Sequence, residues 1–271
     1  MLNDAKNTDI NVNRTMPAKK FIILAATRSG STYLKDLLDS HPRIRAWGEI
    51  FLRKSVMPGT FAHYCKSSPP HSALYSLLGG RFASRVPYNF GMMWLHKRFL
   101  DWFYSFGDSS DEQAAGFKLM YGDVNAYQKR WIRKEGVSVI HLIRENALKR
   151  HLSILTSQKR RFAHSTKQVK PIKVYCNPNT IAEDLKRYMV TQDRMRKTFL
   201  SNPTIEVHYE DFLYSYPEPY DKVLDFLGVE RWQAPPAKLR KLNPDSAEDI
   251  IENYEEIVDA LADTPYERFL K

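Results

Sequence analysis

The stretch that most constrains the fold is residues 19–49, because it joins a strand pattern, a polar turn and a helical pattern without interruption. Residues 21–26 are apolar and β-branched at their centre, which is typical of a strand buried on both faces. Residues 27–32, with the sequence T-R-S-G-S-T, are small, polar or cationic. Apolar side chains then recur at helical spacing, at Tyr33, Leu34, Leu37 and Leu38. The pattern predicts a strand, a tight loop and a helix.

The loop at residues 27–32 has the composition of an anion-binding turn. Where a strand leads through a tight loop into a helix, the loop amides and the helix N-terminus converge and carry a partial positive charge. Gly30 allows a ligand to approach the backbone closely, and Arg28 adds a permanent cation. Hydroxyl donors are also available, at Ser29, Ser31 and Thr32. The loop is not a Walker A sequence, because Ser31 stands where that motif has lysine. We therefore expect an anionic ligand here.

Composition narrows the function classes only partly. The 271 residues suit one α/β domain with an insertion, and a hydrophobic content of 43% is typical of a globular protein. The net charge of +10, from 41 basic and 31 acidic residues, indicates anionic partners without separating nucleotides, nucleic acids and lipid headgroups. Cys65 and Cys176 lie far apart and outside any metal-binding spacing, which argues against a disulfide scaffold and favours a reducing compartment.

Residues 1–18 are polar and without periodicity, and we expect a disordered leader followed by a single domain at residues 19–271. This leader lacks the apolar core of a signal peptide, and no run of the sequence approaches the ~20 apolar residues of a membrane span. We expect a cytoplasmic protein.

Two further segments show a strand pattern that carries or precedes a charged residue. Residues 116–124 include Lys118 inside an apolar run, where a lysine needs either a cleft with a partner or a sheet edge from which it reaches solvent. Residues 137–143 end at Arg144, and a helical pattern that includes Ser153 follows. In a doubly wound sheet, ligands bind beyond the carboxyl ends of the strands, so Arg144 is well placed for a bidentate grip on phosphate. The alternative is that Arg144 caps a sheet edge.

The loop T-R-S-G-S-T-Y resembles the 5′-phosphosulfate loop of sulfotransferases that use 3′-phosphoadenylyl sulfate (PAPS), with Arg28 where many members have lysine. Arg144 followed by Ser153 resembles the 3′-phosphate element of that family. Tyr209 opens a Y-E-D segment at which the animal enzymes contact adenine, although packing alone also explains a tyrosine there. The resemblance implies a P-loop-type three-layer sandwich with a central, mainly parallel sheet and a helical insertion. The implied PAPS ligands are Arg28, Ser29, Gly30, Ser31, Thr32, Tyr33, Arg144, Ser153 and Tyr209.

The resemblance also implies catalytic groups. The bacterial branch of the family, which includes the trehalose and Nod-factor sulfotransferases, carries a glutamate after the first helix, and Glu49 stands in that setting as the general base. Family members often have a lysine near the sulfuryl group, and Lys118 corresponds to that lysine. The resemblance implies that Arg28 and Lys118 together stabilise the charge that accumulates on the sulfuryl and bridging oxygens. Leu119 and Met120 follow Lys118 where animal cytosolic members have a catalytic histidine, which favours Glu49. The alternative is a surface glutamate, or one paired with Arg43, Arg45 or Arg53.

Two departures from the family pattern affect the 3′-phosphate site. Ser153 stands nine positions after Arg144, whereas the corresponding serine of the animal cytosolic enzymes stands eight positions after its arginine. The extra residue rotates Ser153 by about 100° around its helix and leaves Arg150 as a substitute. The R-K-G run near the C-terminus of animal members is missing, so only weak candidates remain, at Lys238, Arg240 and Lys241.

The remaining segments predict supporting structure. Residues 53–112 combine Gly, Pro and Ser clusters with aromatic segments, and we expect a helical acceptor-binding insertion or a part of the core. Residues 158–173 are basic and form either a flap over the nucleotide or a solvated loop. A helix with a capping box at Thr180, a helix at residues 217–228 that ends in glycine, and a last helix capped by Ser246 complete the pattern.

We expect a PAPS-dependent sulfotransferase that acts on a hydroxyl of a carbohydrate or glycolipid and releases adenosine 3′,5′-bisphosphate (PAP), without a metal. We expect the acceptor to be a small molecule or a glycolipid, and a glycolipid acceptor is compatible with peripheral contact between the protein and a membrane. We expect no nucleic-acid partner. A P-loop-type kinase is the first alternative, disfavoured by the missing lysine and by the lack of a Walker B run. A non-enzymatic binder of nucleic acid or anionic membrane, suggested by charge alone, is the second. The identity of the acceptor and the oligomeric state stay open.

Overall fold

A computed structural model of the chain describes residues 18–51, 57–67, 69–77, 90–105, 111–161, 169–233 and 243–270. Within these ranges, five strands form one sheet. They are β1 (Lys19–Ala25), β2 (Ile44–Trp47), β3 (Ala114–Met120), β4 (Ser138–Ile143) and β5 (Thr204–His208). Their order is β2-β3-β1-β4-β5, and every neighbouring pair is parallel. This confirms the predicted α/β class with a mainly parallel central sheet.

Helices connect the strands and cover both faces of the sheet. They are α1 (Ser31–Asp39), α2 (Phe61–Lys66), α3 (Pro69–Leu77), α4 (Phe90–Ser105), α5 (Ala126–Lys134), α6 (Ala147–Arg160), α7 (Ile181–Thr198), α8 (Tyr209–Tyr214), α9 (Glu218–Leu227) and α10 (Tyr254–Leu261). Short 3₁₀ turns occur at Tyr121–Asp123 and Glu267–Phe269.

The alternation of side chains along β1 explains why the strand is apolar throughout. Successive residues of a strand point to opposite faces of the sheet. Phe21 and Ile23 pack on one face, with buried side chains of α1 and α9. Ile22 and Leu24 pack on the other, with buried side chains of α4, α5, α6, α7 and α10. Helices on both faces confirm the predicted three layers.

Helices α2, α3 and α4 lie between β2 and β3, in the segment where a helical insertion is predicted. Leu95, Phe99 and Leu100 of α4 are fully buried in the core beside the sheet. The aromatic stripe is therefore core packing, as the simpler of the two interpretations has it. Residues 53–56, 68, 78–89 and 106–110 of the predicted insertion lie outside the described residues.

The side-chain caps predicted for two helices are wrong, although α7 does begin directly after Thr180 as predicted. Thr180 precedes α7, but its side chain makes no capping hydrogen bond. A capping residue needs extended backbone, whereas Thr180 has a φ of −119° and a ψ of −14°. Ser246 accepts a hydrogen bond from the amide of Glu248 at 3.2 Å, but the last helix begins only at Tyr254.

The ends of two other elements can be compared with their predictions. The strand predicted at residues 116–124 ends at Met120, because the chain then turns into a 3₁₀ helix. The helix predicted to end in glycine is confirmed, since α9 is closed by Gly228 with a φ of 70°.

The predicted leader, apart from Ala18, lies outside the described residues, as do Arg53, the centre of the basic segment at 162–168, and Lys238, Arg240 and Lys241. Among the helices that the structure describes, none is long and apolar enough to span a membrane.

Candidate active site

The loop between β1 and α1 has an unusual backbone conformation. Arg28 has a φ of 67° and Gly30 a φ of 87°, both in the left-handed region. For Arg28 this costs on the order of 1 kcal/mol or more, because its Cβ approaches a carbonyl oxygen. Ser29 is fully buried, and its hydroxyl donates to the Ala26 carbonyl at 2.7 Å, which closes the turn. Gly30 is the N-cap of α1, so the amides of the first helical turn have no side-chain cap.

Tyr209 packs directly against Gly30. A Cβ atom at Gly30 would lie 2.3 Å from Cδ2 of the Tyr209 ring, so any other residue would displace the ring or the loop. The guanidinium of Arg144 lies 5.1 Å from the centre of the same ring, within cation–π range. The Y-E-D segment therefore contacts both the loop and Arg144.

Three side chains at and after the end of β4 reach the loop. Arg144 Nη1 donates to the carbonyl of Arg28 at 3.1 Å, and Arg150 Nε donates to the carbonyl of Thr27 at 2.9 Å. Ser153 Oγ accepts from Arg28 Nε at 3.0 Å. Arg150 and Ser153 are three residues apart and therefore share one face of α6. The longer spacing between Arg144 and Ser153 therefore does not turn Ser153 away from the loop, and Arg150 contacts the loop as well.

The guanidiniums around the loop concentrate positive charge. Burial, reinforced by the neighbouring Arg144, lowers the pKa of Arg28. Burial likewise lowers the pKa of Arg144 and of Arg150. Within the part of the chain that the structure describes, no carboxylate forms a salt bridge with any of the three. Buried charges of one sign are costly without a counter-ion, so this arrangement favours an anionic ligand.

One donor of this cluster lacks an acceptor among the described residues. Nε of Arg144 is buried and has no hydrogen-bond partner among the described residues. Arg144 and Tyr209 also line a cavity of about 570 Å³ beyond the carboxyl ends of β4 and β5. Its other walls include Lys149 and Met189. A cavity of this size is in the range that holds small-molecule ligands.

Glu49 and Lys118 form a pair beside the loop. Lys118 Nζ lies 3.2 Å from Glu49 Oε1 and donates to Thr32 Oγ1 at 3.0 Å. The Lys118 side chain is only 8% exposed, and its strand β3 lies between β2 and β1. The sheet-edge alternative for Lys118 is therefore wrong, and the lysine has a partner within a cleft.

Strand β2, which the sequence analysis does not predict, explains the position of Glu49. Trp47, the last residue of β2, is in register with Phe117 of β3. Because the two strands are parallel, Glu49 follows β2 beside the carboxyl-terminal half of β3, where Lys118 lies, and the Lys118 amide donates to the Gly48 carbonyl at 3.2 Å. The alternative pairings do not occur with the described arginines, since Arg43 pairs with Glu230 and Arg45 with Glu112.

The remaining predicted loop residues have mixed environments. Ser31 is buried, with its hydroxyl 3.9 Å from the sulfur of Met120. Tyr33 packs edge-on against Phe212, and burial together with Tyr216 and Tyr209 raises its pKa. The structure thus brings every predicted site residue to the loop or next to it.

Sequence reasoning missed two groups at this site. Tyr188 of α7 donates to the Arg144 carbonyl at 2.9 Å. Arg160, at the end of α6, donates to Asn243 at 2.8 Å and lies close enough to Arg28 to contribute to the lowering of its pKa. The spacing of Arg160, two helical turns after Ser153, was an available signal, whereas nothing in the sequence points to Tyr188.

Solved structures with a similar fold include several sulfotransferases and sulfotransferase domains. The chain is 14% identical to a sulfotransferase from Alicyclobacillus acidocaldarius, with 94% of this chain and 96% of that chain covered and a TM-score of 0.47. It is 20% identical to the sulfotransferase domain of the olefin synthase from Synechococcus PCC 7002, with 81% and 76% covered and a TM-score of 0.42. It is 12% identical to a sulfotransferase from Mycobacterium avium, with 93% and 69% covered and a TM-score of 0.41.

No protein-family model and no curated protein sequence matches the chain. With identities of 20% or less and TM-scores below 0.5, the structural similarities do not assign the chain to a family. The assignment of a function therefore depends on the chain's own residues.

Proposed function

We propose that this chain is a PAPS-dependent sulfotransferase that transfers the sulfuryl group to a hydroxyl of a carbohydrate or glycolipid. The observation that carries the proposal is the position of the loop at residues 27–32 between two groups of different chemistry. Arg144 and Ser153 contact it on one side, and Lys118 with Glu49 contacts it on the other. A site with cations for two phosphates and a carboxylate nearby suits group transfer from a doubly phosphorylated nucleotide.

In this proposal the loop amides and Arg28 bind the 5′-phosphosulfate of PAPS, as the first turn of a helix favours an anion. Arg144 and Ser153 bind the 3′-phosphate, and the free Nε of Arg144 offers one donor for it. The adenosine lies against Tyr209, in the cavity beyond β4 and β5. The residues present therefore fit a ligand with two phosphate groups.

The proposed reaction is an in-line displacement at sulfur. The acceptor oxygen forms a bond to sulfur while the bond from sulfur to the 5′-phosphate oxygen breaks, and PAP leaves. Glu49 takes the hydroxyl proton, and Lys118 orients the carboxylate through the 3.2 Å contact. Arg28, the loop amides and Lys118 stabilise the charge that develops on the sulfuryl and bridging oxygens. The residues assigned here perform the transfer by positioning and electrostatics, so the scheme has no step that requires a metal.

The helices between β2 and β3 form the proposed acceptor side. Phe51 follows Glu49 closely and packs against Phe61 of α2 and Phe99 of α4, so the base is tied to this part of the fold. Trp94 of α4 is 44% exposed, and aromatic rings of this kind stack on sugar faces. We propose a cytoplasmic enzyme whose acceptor is a small molecule or a glycolipid, with peripheral membrane contact in the second case.

Thermal stabilisation by nucleotides tests the proposal against its two alternatives. PAP should raise the melting temperature more than AMP or ATP with Mg²⁺ at equal concentration, because only PAP fills both phosphate positions. Stronger stabilisation by ATP with Mg²⁺ would favour a kinase. Stabilisation by DNA alone, with a steep salt dependence, would favour an anion binder. Incubation with radiolabelled PAPS and a panel of sugars and glycolipids then identifies the acceptor.

A further inference from the structure

Tyr188 lies on α7, outside the loop and outside every motif, and it is buried at 6% exposure. Its hydroxyl donates to the carbonyl of Arg144 at 2.9 Å and accepts from Nε2 of Gln192 at 2.6 Å. Burial raises the pKa of Tyr188 to about 12, so the hydroxyl keeps its proton and remains a donor under physiological conditions.

The ring of Tyr188 has a second contact. The guanidinium of Arg150 lies 4.2 Å from the ring centre, and this stacking fixes the plane of the guanidinium. Nε of Arg150 then donates to the carbonyl of Thr27 at 2.9 Å. One tyrosine therefore contacts the backbone that carries Arg144 and, through Arg150, the backbone of the loop.

The loop needs such support. Arg28 has a left-handed conformation that its side chain does not favour. The two carbonyls on either side of Arg28, those of Thr27 and of Arg28 itself, accept hydrogen bonds from Arg150 and Arg144. A strained conformation persists only where its surroundings determine it, and here both determining arginines are in contact with Tyr188.

We propose that Tyr188 is a positioning residue that holds both phosphate-binding groups of the site in place, namely Arg144 for the 3′-phosphate and the loop at residues 27–32 for the 5′-phosphosulfate. Its hydroxyl fixes the backbone of Arg144 and therefore the position of the guanidinium that binds the 3′-phosphate. Its ring orients the guanidinium of Arg150, which in turn holds the loop that binds the 5′-phosphosulfate. This inference rests on the proposed binding of PAPS, and it assigns Arg150 to support of the loop.

Affinities for PAP and AMP, measured by isothermal titration calorimetry, separate the two contacts of Tyr188. Tyr188→Phe keeps the ring and loses the hydroxyl, so we expect the affinity for PAP to fall about 3- to 10-fold, in keeping with one hydrogen bond. The affinity for AMP, which has no 3′-phosphate, should change less than about twofold. Tyr188→Leu loses the ring as well and should weaken both ligands. Tyr175→Phe, at a tyrosine that is 57% exposed, is the matched control and should bind both ligands like the wild type.

The ratio of the two affinities distinguishes positioning from general destabilisation. Loss of the hydroxyl leaves Gln192 without that partner and lowers the melting temperature, but a purely structural effect does not change the preference for PAP over AMP. If Tyr188→Leu does not fold, Arg150→Lys replaces it, because lysine keeps the charge and loses the planar stacking and the Nε donor.

Failure of this inference differs from failure of the proposed function. A wild-type protein that binds PAP no better than AMP contradicts the proposed function whatever the variants do. A wild-type preference for PAP that is unchanged in Tyr188→Phe, or a loss that is equal for both ligands, overturns the role of Tyr188 alone.

Discussion

Glu49 and Lys118 lie side by side near the carboxyl ends of β2 and β3, with 3.2 Å between their charged atoms. In Glu49→Gln the shape is kept and the proton acceptor is lost. We expect the affinity for PAP to change by no more than about twofold, because the Glu49 carboxylate is not one of the groups that bind the phosphates. Sulfuryl transfer should fall by roughly 100-fold or more, since a positioned base contributes about that factor. Turnover with a radiolabelled donor and calorimetry with PAP measure the two quantities.

Glu135 provides a matched control for this substitution. It pairs with Lys20 at the same distance, 3.2 Å, and its side chain is 28% exposed against 29% for Glu49. Glu135→Gln should leave turnover unchanged. Unchanged turnover in Glu49→Gln as well would remove Glu49 from the role of base.

At the scale of single residues, the sequence predicts best those residues that lie at strand ends. The loop and Arg144 follow from the rule that ligands bind beyond the carboxyl ends of parallel strands, and Lys118 follows from the cost of placing a lysine in an apolar run. Tyr188 does not follow from it, because its contact with Arg144 depends on how α7 packs across α6. A buried tyrosine in a helical pattern is ordinarily core, so the sequence provides no sign of its hydroxyl's partner.

At the scale of elements, the turn between β4 and α6 is held by Glu210 of the Y-E-D segment. Its two carboxylate oxygens accept from the amides of Glu145 at 3.1 Å and Asn146 at 3.4 Å. The amides at the N-terminus of a helix lack partners within the helix and carry partial positive charge, so a carboxylate there is stabilising. These amides follow Arg144 directly, and Glu210 therefore also fixes the base of that side chain.

Glu210→Gln should lower the free energy of unfolding by about 0.5 to 2 kcal/mol, the range for loss of a helix cap. Glutamine has one acceptor oxygen in place of two and no charge, and Arg144 is set less firmly, so PAP affinity should fall as well. Urea unfolding and calorimetry measure the two effects. Glu183→Gln, in the first turn of α7 with a 62% exposed side chain, is the control: it should cost at most about 0.3 to 1 kcal/mol of stability and leave PAP affinity unchanged. Equal behaviour of the two variants would contradict the role of Glu210.

Strand β2 shows what pattern reasoning misses among elements. It has four residues, and only Ile44 and Ala46 of them are buried. So short a strand is defined by its pairing with β3 rather than by its own propensity. The same holds for the side-chain caps predicted at Thr180 and Ser246, because a capping side chain acts only where the backbone places it next to free amides. The fold class was nevertheless predictable, since it depends on the long, apolar central strands.

At the scale of the whole molecule, buried histidines link stability to pH. His96 lies among the rings of Phe61, Tyr127 and Phe51, and its Nδ1–H donates to the Met92 carbonyl at 2.9 Å. Burial lowers the pKa of His96 to about 4, and burial also lowers that of His141 to about 4. An unfolded chain takes up these protons near pH 6.5, whereas the folded chain resists them until about pH 4. Stability should therefore fall as the pH drops through that window.

His96→Phe tests this dependence, because phenylalanine fits an aromatic environment and has no proton to bind. The decrease in melting temperature between pH 6.5 and pH 4 should be smaller in His96→Phe than in the wild type. His141 and the carboxylates account for the part that remains. A decrease of the same size in both proteins would mean that His96 does not contribute.

The central claim is that the loop around Gly30 and the guanidinium of Arg144 bind the two phosphates of one nucleotide. Calorimetric titration of PAP and AMP into the wild type, Arg144→Ala and the control Arg187→Ala tests it most directly, since Arg187 is a 69% exposed arginine on α7. We predict one PAP per chain and a wild-type preference for PAP. Arg144→Ala should lose about 1.5 to 3 kcal/mol of PAP binding, or roughly 10- to 150-fold, and a smaller share of AMP binding, because AMP loses only the support that Arg144 gives to the loop, while Arg187→Ala keeps both. A preference for PAP that survives in Arg144→Ala, or its absence from the wild type, would contradict the claim.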